Sequence, residues 1–315
     1  RELKAATEGI AGGNPPFHYD ENSNLDMKGT KPSKFILDIN KDMDTQLKAW
    51  LNGYCVIKNY GNETVTIDES KKSEADCVSG GSSNPRSFAT DSWETIANAV
   101  KEGNTDVYNI GDTKEVTLTG EYAGTYTLRL ANKLTPTECN GADFSQSACG
   151  FVVEFVDIIT VETMNPSGSC KGGWPAMSLY TIVNTDIYNS LPSDLKKYVK
   201  TTKVVSGHGV QDTENFTSND HLYLLSTKEI WGKDGISNTV NYDTAEAETR
   251  QLDYYKSKGV TTDNPSGAIK KYSWWTRSIG SSYANYFYYV NKKSGGWGDS
   301  SPSGTLGVAP AFRIG

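Results

Sequence analysis

Apolar and polar residues alternate over short blocks in the first part of the chain, a pattern typical of β-strands. Three blocks, "SKFILDIN", "LKAWLNGYCVIKNY" and "ETVTIDE", are separated by Asn and Gly turns and follow a short helical start, "RELKAATEGI". The stretch "CVSGGSSNPRS" then has the Ser-, Gly-, Asn- and Pro-rich composition of a linker. The pattern predicts a small β segment at 1–84 and a larger domain at 85–315.

The larger domain begins with a helical pattern in "TDSWETIANAVKEGN". Asp91, followed three residues later by Glu94, predicts a capping box at the start of the helix, and Gly103 predicts its end. The apolar residues expected to share its buried face are Trp93, Ile96, Ala97 and Val100.

Strand and helix patterns then follow one another without any internal repeat. Strands are predicted in "KEVTLTG", "GTYTLRLAN" and "GFVVEFVDIITVE", the last apolar enough to be buried. Helices are predicted in "AMSLYTIVNTDIYNSLP" and "SDLKKYVK", before "KVVSGH", "DHLYLLSTKEIWG" and an aromatic-rich ending. This mixture predicts the fold class α+β.

Composition narrows the function classes. The chain has 315 residues, a net charge of −7 and no long basic stretch, which weighs against binding of a nucleic-acid backbone. No apolar run approaches the length of a membrane span. The chain opens on "RELKAATEG" without a Met, so we expect a mature or truncated fragment whose only membrane contact is an N-terminal anchor that is not part of it.

The five cysteines leave two interpretations open. Two local disulfides, Cys55–Cys77 and Cys139–Cys149, would leave Cys170 unpaired; alternatively all five are reduced, partly buried thiols. The richness in Tyr, Asn, Thr and Ser favours an exported protein and therefore the disulfides.

No catalytic or metal-binding motif assembles in the sequence. The three His residues, His18, His208 and His221, are scattered and accompany no nucleophile motif. The acidic clusters "DENSNLD" and "NKDMD" do not fit the EF-hand spacing, so we interpret them as solvated loops. The sequence therefore predicts neither an enzyme nor a cofactor.

The segment from Gly280 to Gly304 is the candidate functional region. It holds six Ser, five Gly, four Tyr and two Asn but only three charged residues. Tyr gives large contact area at low entropy cost, while Ser, Gly and Asn give adaptable hydrogen bonds, as in antibody loops; the alternative is a solvated loop. The predicted ligand-binding residues, expected on one exposed face, are Tyr283, Asn285, Tyr286, Tyr289, Asn291, Trp297, Asp299 and Ser301.

Strand alternation sharpens that prediction within "YFYYVN". If Val290 points inward, Tyr286 and Tyr288 share its side, and Phe287, Tyr289 and Asn291 take the other. Because four consecutive aromatic residues cannot all be core, we expect an exposed aromatic patch, which normally marks an interaction site.

Two family resemblances add to these patterns. "KGTKPSKFILDINKD" and "LNGYCVIKNY" resemble the β region of Gram-positive type IV pilin-like proteins. From residue 91 onwards, "SWETI", "KGGWPAMSLYTIVNTDIYNSLPSDLKKYV", "DHLYLLSTKEIWG", "WWTRS" and "GVAPAFRIG" resemble a domain of Firmicutes surface proteins that is similar to the C-type-lectin fold of formylglycine-generating enzymes. Within it we expect Trp174, Trp274 and Phe312 in the core, whereas Arg277 and Arg313 are either buried or surface charges.

The resemblance restricts function. The C-terminal cysteine pair of formylglycine-generating enzymes has no counterpart after Cys170, and the calcium-ligand motifs of the lectins are missing. The closer likeness is to the variable proteins of diversity-generating retroelements, whose retargeted region would correspond to positions 281–303. This implies a cell-surface or pilus-displayed, extracellular binding protein with a protein or glycan ligand. The alternative is a structural minor pilin-like subunit that contacts other pilin subunits.

Overall fold

The computed structural model describes the backbone of 55–59 and 64–68 and, in full, residues 85–232, 249–280 and 285–315. The chain divides into two compact units, Arg1–Asn84 and Pro85–Gly315. In the first unit, strands β1 (Cys55–Asn59) and β2 (Thr64–Asp68) pair antiparallel. The remaining predictions for 1–84, including the Cys55–Cys77 disulfide, His18 and the acidic loops, lie outside the described residues.

The described residues of the second unit form two five-stranded sheets and a separate hairpin. Sheet 1 has the order β3-β4-β5-β14-β7, with every pairing antiparallel. Its strands are β3 (Thr113–Leu118), β4 (Gly124–Asn132), β5 (Val152–Phe155), β7 (Val199–Lys200) and β14 (Ala311–Ile314).

Sheet 2 has the order β12-β11-β10-β13-β6 and contains one parallel pairing, between β10 and β13. Its strands are β6 (Thr160–Thr163), β10 (Trp274–Ile279), β11 (Phe287–Val290), β12 (Trp297–Ser300) and β13 (Thr305–Val308). The separate hairpin consists of β8 (Thr202–Ser206) and β9 (Phe216–Asp220).

Two antiparallel segments join the sheets. The predicted single strand "GFVVEFVDIITVE" is in fact two strands, a fully buried β5 in sheet 1 and a half-exposed β6 in sheet 2. The C-terminal "GVAPAFRIG" divides in the same way, because β13 belongs to sheet 2 and β14 to sheet 1. Between the β5–β14 and β6–β13 pairings, the amide of Phe155 donates to the Pro310 carbonyl (3.0 Å). The two segments therefore remain hydrogen-bonded where they pass from one sheet to the other.

The first helix, α1 (Trp93–Glu102), confirms the predicted pattern but not its predicted cap. Ser92 is the N-cap and its side chain accepts from the amide of Thr95, while Gly103 ends the helix with a φ of 72°. The Asp91 carboxylate instead accepts from the Tyr108 hydroxyl (2.8 Å) and from the amide of Arg86 (2.7 Å). Asp91 therefore fixes the chain entering the helix, because a buried partner outcompetes the local cap.

The other helical elements are short. A continuous helical stretch consists of α2 (Ser178–Thr181), a π-helical segment (Ile182–Ile187) and α3 (Tyr188–Ser190). Among the described residues, the α-helices that follow are α4 (Ser193–Lys196), α5 (Thr227–Trp231) and α6 (Asp253–Ser257). The 3-10 turns are Gly120–Tyr122, Thr137–Asn140, Gln146–Ala148, Trp174–Ala176 and Ser266–Ala268. Together with the two sheets, these elements confirm a mixed α+β fold.

Two large hydrophobic clusters form most of the interior of this unit, beside a small one of Cys139, Phe144 and Cys149. One includes Trp174 and Phe312 and lies against α1 and the π-helical stretch, and the other includes Trp274. All three side chains are fully buried, as expected from the sequence. Burial of aromatic groups of this size is a major part of the stabilisation of the fold.

Cys139 and Cys149 form a disulfide, which confirms that local pairing. Cys170 is free and buried, and burial raises the pKa of its thiol. None of the helices in the described residues combines the length and the hydropathy that a membrane span requires.

Candidate ligand-binding face

The candidate region is the hairpin of β11 and β12 at the end of sheet 2. The strands pair antiparallel with Tyr288 opposite Asp299 and Val290 opposite Trp297. Because directly opposed residues of an antiparallel pair point to the same side, these four side chains lie on one face of the hairpin. Alternation along the strands adds Tyr286 and Ser301 to that face.

The predicted ligand-binding residues therefore divide between two faces. Tyr286, Trp297, Asp299 and Ser301 lie on the face described above, which we call the outer strip. Asn285, Tyr289 and Asn291 lie on the opposite face by the same alternation. Tyr283 lies outside the described residues.

Exposure distinguishes the two groups. In the outer strip, Tyr286 is 39% and Trp297 47% exposed, Asp299 is exposed and Ser301 is half-buried. On the opposite face Asn285 is exposed, but Tyr289 and Asn291 are only half-exposed. The outer strip thus carries the exposed aromatic side chains of the hairpin.

Packing on both sides of sheet 2 explains why the central aromatic residues are not available. Phe287 packs in the cluster that contains Trp275, whereas Val290 packs in the cluster that contains Trp274. Tyr288 is also buried, and its ring meets Trp297 edge-on with centroids 5.9 Å apart. The exposed Trp297 ring therefore rests on a buried partner and is held in place.

Tyr289 is engaged in the hairpin itself. It lies opposite Gly298, and a Cβ at Gly298 would come within 2.4 Å of the Tyr289 ring. The ring therefore covers the glycine, and no side chain fits beneath it.

The turn that joins the two strands is fixed by glycine and by side-chain hydrogen bonds. Gly295 has a φ of 75°, and a Cβ there would lie 2.1 Å from the Pro265 carbonyl oxygen. The Trp231 indole donates to the Gly295 carbonyl (3.2 Å), and the Asn291 side chain accepts from the amide of Lys293 (2.8 Å). Asn291 thus helps to hold the turn.

Loops from elsewhere in the chain border the other end of the hairpin, and the sequence patterns did not indicate them. A Cβ at Gly209 would lie 2.8 Å from Ile279, which places the 207–215 loop beside the end of β10. Gly168 similarly approaches Ser301 and Ser303. The amide of Gly172 donates to Asp212 (2.9 Å), which ties these two loops together. Val210 is 55% exposed on this border. The only sequence signal for the 207–215 loop is the Gly-flanked "SGHGV" that follows a strand.

A buried ion pair fixes β10, the strand next to the hairpin. The Arg277 guanidinium donates two hydrogen bonds to the Glu229 carboxylate, at 2.6 and 2.7 Å, and both residues are at most 1% exposed. Burial acts to raise the pKa of Glu229, but the Arg277 charge and its hydrogen bonds outweigh it and lower that pKa. Glu229 also completes the capping box of α5 with Ser226. Arg277 is therefore a core residue that joins β10 to α5.

A second buried charge cluster supports sheet 1. The Glu154 carboxylate accepts from Arg129 (2.7 Å), Tyr255 (2.8 Å) and Lys270 (3.3 Å). Burial opposes ionisation of Glu154, yet Arg129 and Lys270 lower its pKa, and burial lowers the pKa of Lys270 to about 8.

Arg313, unlike Arg277, is only half-buried, and its guanidinium donates to the Gln146 side chain (3.2 Å).

A polar cleft of about 360 Å³ lies away from the hairpin, at the start of α1. The Lys114 ammonium in it donates to the backbone carbonyls of Asp91 (2.7 Å) and Ala89 (3.2 Å) and lies over the Trp93 ring. Burial lowers the pKa of Lys114, and the charges of Asp91 and Asp194 oppose that shift. These bonds use the ammonium to hold the segment before α1.

The His residues of this unit are also accounted for by local contacts. The His221 ring stacks on Tyr188 with centroids 4.3 Å apart, and His208 bonds to the neighbouring Gly209 carbonyl (2.9 Å). Among residues 85–232, 249–280 and 285–315, no group of three His, Cys, Asp or Glu side chains is placed to hold a metal ion.

Fold and site together define a mixed α+β domain with an exposed aromatic and polar strip near its C-terminus. A family model described as a domain of unknown function (DUF6273) matches residues 155–315, and the chain belongs to that family. The match begins at the end of β5 and includes sheet 2, β14 and the candidate face. No curated protein and no solved structure matches the chain.

Proposed function

We propose that the chain is a cell-surface or pilus-displayed binding protein that recognises a protein or glycan ligand without catalysis. The observation that carries the proposal is the outer strip, in which Tyr286, Trp297, Asp299 and Ser301 share one face of a two-stranded hairpin. Large exposed aromatic groups on a fixed scaffold contribute contact area at low entropy cost, and the neighbouring carboxylate and hydroxyl supply hydrogen bonds.

The rigidity of the scaffold supports the same conclusion. The Arg277–Glu229 ion pair fixes β10, and Trp231 fixes the 291–296 turn through Gly295. A surface held in its binding conformation loses less entropy when a ligand binds. The hairpin therefore has the properties expected of a preorganised recognition surface.

The resemblance to C-type-lectin-like proteins and to retroelement-diversified variable proteins belongs to this proposal, as does the pilin-like first unit. On this view, positions 281–303 would vary among copies of the gene, while "WWTRS" and "GVAPAFRIG" stay constant because they form β10, β13 and β14. A reverse-transcriptase gene nearby and a near-copy of the 3′ coding end would establish diversification. Their absence would refute that part and leave ligand binding standing.

The experiment that tests binding uses the full chain on glycan and cell-surface protein arrays. The Tyr286→Ala/Trp297→Ala variant is expected to lose at least about tenfold in affinity for any ligand found, because truncation of central aromatic residues is typically costly. Leu134→Ala is the matched control, since Leu134 is 59% exposed but lies beside sheet 1. Equal binding by all three proteins would refute the assignment to this face.

Failure to bind any array ligand, together with loss of pilus assembly on deletion of the gene, would instead support the structural alternative. In that case the outer strip would contact other pilin subunits.

A further inference from the structure

The outer strip borders an open sheet edge. β12 is the last strand of sheet 2 in the described part of the chain. The amide of Asn291 donates to the Gly296 carbonyl (2.7 Å), which fixes which residues of β12 bond to β11. Since bonded and non-bonded pairs alternate in an antiparallel ladder, Gly298 and Ser300 bond inward, and the main-chain groups of Trp297 and Asp299 point outward.

The outward main-chain groups of β12 repeat at a defined spacing. Two N–H and C=O pairs, separated by one residue, face away from the sheet at Trp297 and Asp299. Only another extended polypeptide presents acceptors and donors at that repeat. The side chains of the same two residues project onto the outer strip, one aromatic and one acidic.

We propose that β12 binds an extended segment of a partner protein, which adds to sheet 2 as a sixth strand. This inference rests on the proposed function and selects a polypeptide over a glycan as the ligand. Residues directly opposed across the new strand pair would lie on the outer strip. The partner segment would therefore place an apolar side chain against Trp297 and a basic side chain against Asp299.

Charge argues against a second copy of this chain as the occupant. Each copy has a net charge of −7, and a strand pair between two β12 edges in the register that opposes equivalent residues would place two Asp299 carboxylates side by side. An extended segment that places a basic residue against Asp299 matches both the outward main-chain groups and this carboxylate.

The first measurement is amide hydrogen exchange on the full chain. We expect the amides of Trp297 and Asp299 to exchange faster than those of Gly298 and Ser300 in the free protein. The probe is the peptide Val-Thr-Lys-Thr-Val-Thr-Lys-Thr, whose odd positions alternate apolar and basic residues on one face. Its addition should slow exchange at Trp297 and Asp299. A version with Glu in place of Lys, and one with alternate amides N-methylated, are the controls and should bind about tenfold more weakly or not at all.

Variants of Asp299 separate the main chain from the side chain. Asp299→Pro removes an outward N–H without breaking a bond to β11, because Pro is tolerated at such edge positions. We expect Asp299→Pro to weaken peptide binding about tenfold relative to Asp299→Ala, which lacks only the carboxylate. Unchanged thermal unfolding of both variants would show that the hairpin remains folded.

The outcomes distinguish this inference from the proposed function. Suppose that Tyr286→Ala/Trp297→Ala abolishes binding of an array ligand, while Asp299→Pro and Asp299→Ala bind the peptide with equal affinity. Strand addition is then wrong and the binding face stands. Failure of the Lys peptide to bind, equal binding of its N-methylated version, or self-association through β12 in sedimentation experiments would each overturn strand addition.

Discussion

The buried pair of Arg277 and Glu229 offers the most direct test of how the binding face is supported. Replacement of Arg277 by Met keeps a long apolar side chain in the space but removes the cation. Glu229, which is fully buried, would then keep its bonds from the Ser147 hydroxyl, from Thr249 (2.9 Å) and from the Ser226 amide (2.9 Å) but lose its charged partner. The carboxylate must then either stay charged in the interior or take up a proton.

The expected cost follows from the isolation of that charge. Removal of one partner of a buried ion pair typically costs about 3–5 kcal/mol, because the other charge is left uncompensated. For a unit the size of 85–315, each kcal/mol shifts Tm by about 2–4 °C, so Arg277→Met should lower Tm by about 6–20 °C. Arg277→Met/Glu229→Met removes both charges and should recover at least about 1 kcal/mol of that loss.

The assay is urea unfolding of the full chain, followed by Trp fluorescence and by far-UV circular dichroism, with coincident transitions as the check on two-state behaviour. Lys293→Met is the control, because Lys293 is exposed and its replacement should change stability by less than about 0.5 kcal/mol. A loss below about 1 kcal/mol for Arg277→Met, or no recovery in the double variant, would show that the charges do not hold β10 to α5.

Three further predictions use other features of the same unit. Gly295→Ala should destabilise the fold by more than about 1 kcal/mol and weaken ligand binding, since its φ of 75° and the Pro265 carbonyl leave no room for a Cβ; chemical unfolding and array binding would show it. Cys139→Ser/Cys149→Ser should lose about 2–3 kcal/mol in unfolding experiments, and equal stability with and without reductant would contradict this. Because the pKa values of Glu154 and Glu229 are lowered in the folded state, their stabilisation is complete above the ordinary value of 4.5 and is lost as pH falls through the folded values; unfolding free energies from pH 7 to 3 would reveal the decline.

Local sequence patterns were sufficient to predict those elements whose contacts are mainly between residues close together in the chain. The helix of 93–102 and its Gly103 end follow from periodicity and from the conformational freedom of glycine, as does the two-face alternation of Tyr286 to Val290. Even there the cap moved from Asp91 to Ser92, because Tyr108, distant in sequence, bonds to the Asp91 carboxylate.

The predicted ligand residues show the limit of such patterns. Composition selected the 281–303 segment but not which of its polar residues face outward. Asn291 is of a residue type common in binding loops, yet its side chain holds a turn. The Tyr289 ring covers Gly298. The bordering loop with Val210 depends on contacts with Ile279 that no local pattern contains.

The sequence by itself determined the α+β class, the helix at 93–102 and the aromatic, low-charge character of the C-terminal region. Those features depend on periodicity, spacing and side-chain chemistry, which are local. Only the tertiary structure decided that "GVAPAFRIG" divides between two sheets, that Arg277 is a buried partner of Glu229, and that β12 is the edge strand of sheet 2 among the described residues. Strand order and charge pairing depend on contacts between residues far apart in the chain. Local sequence patterns carry no information about such contacts.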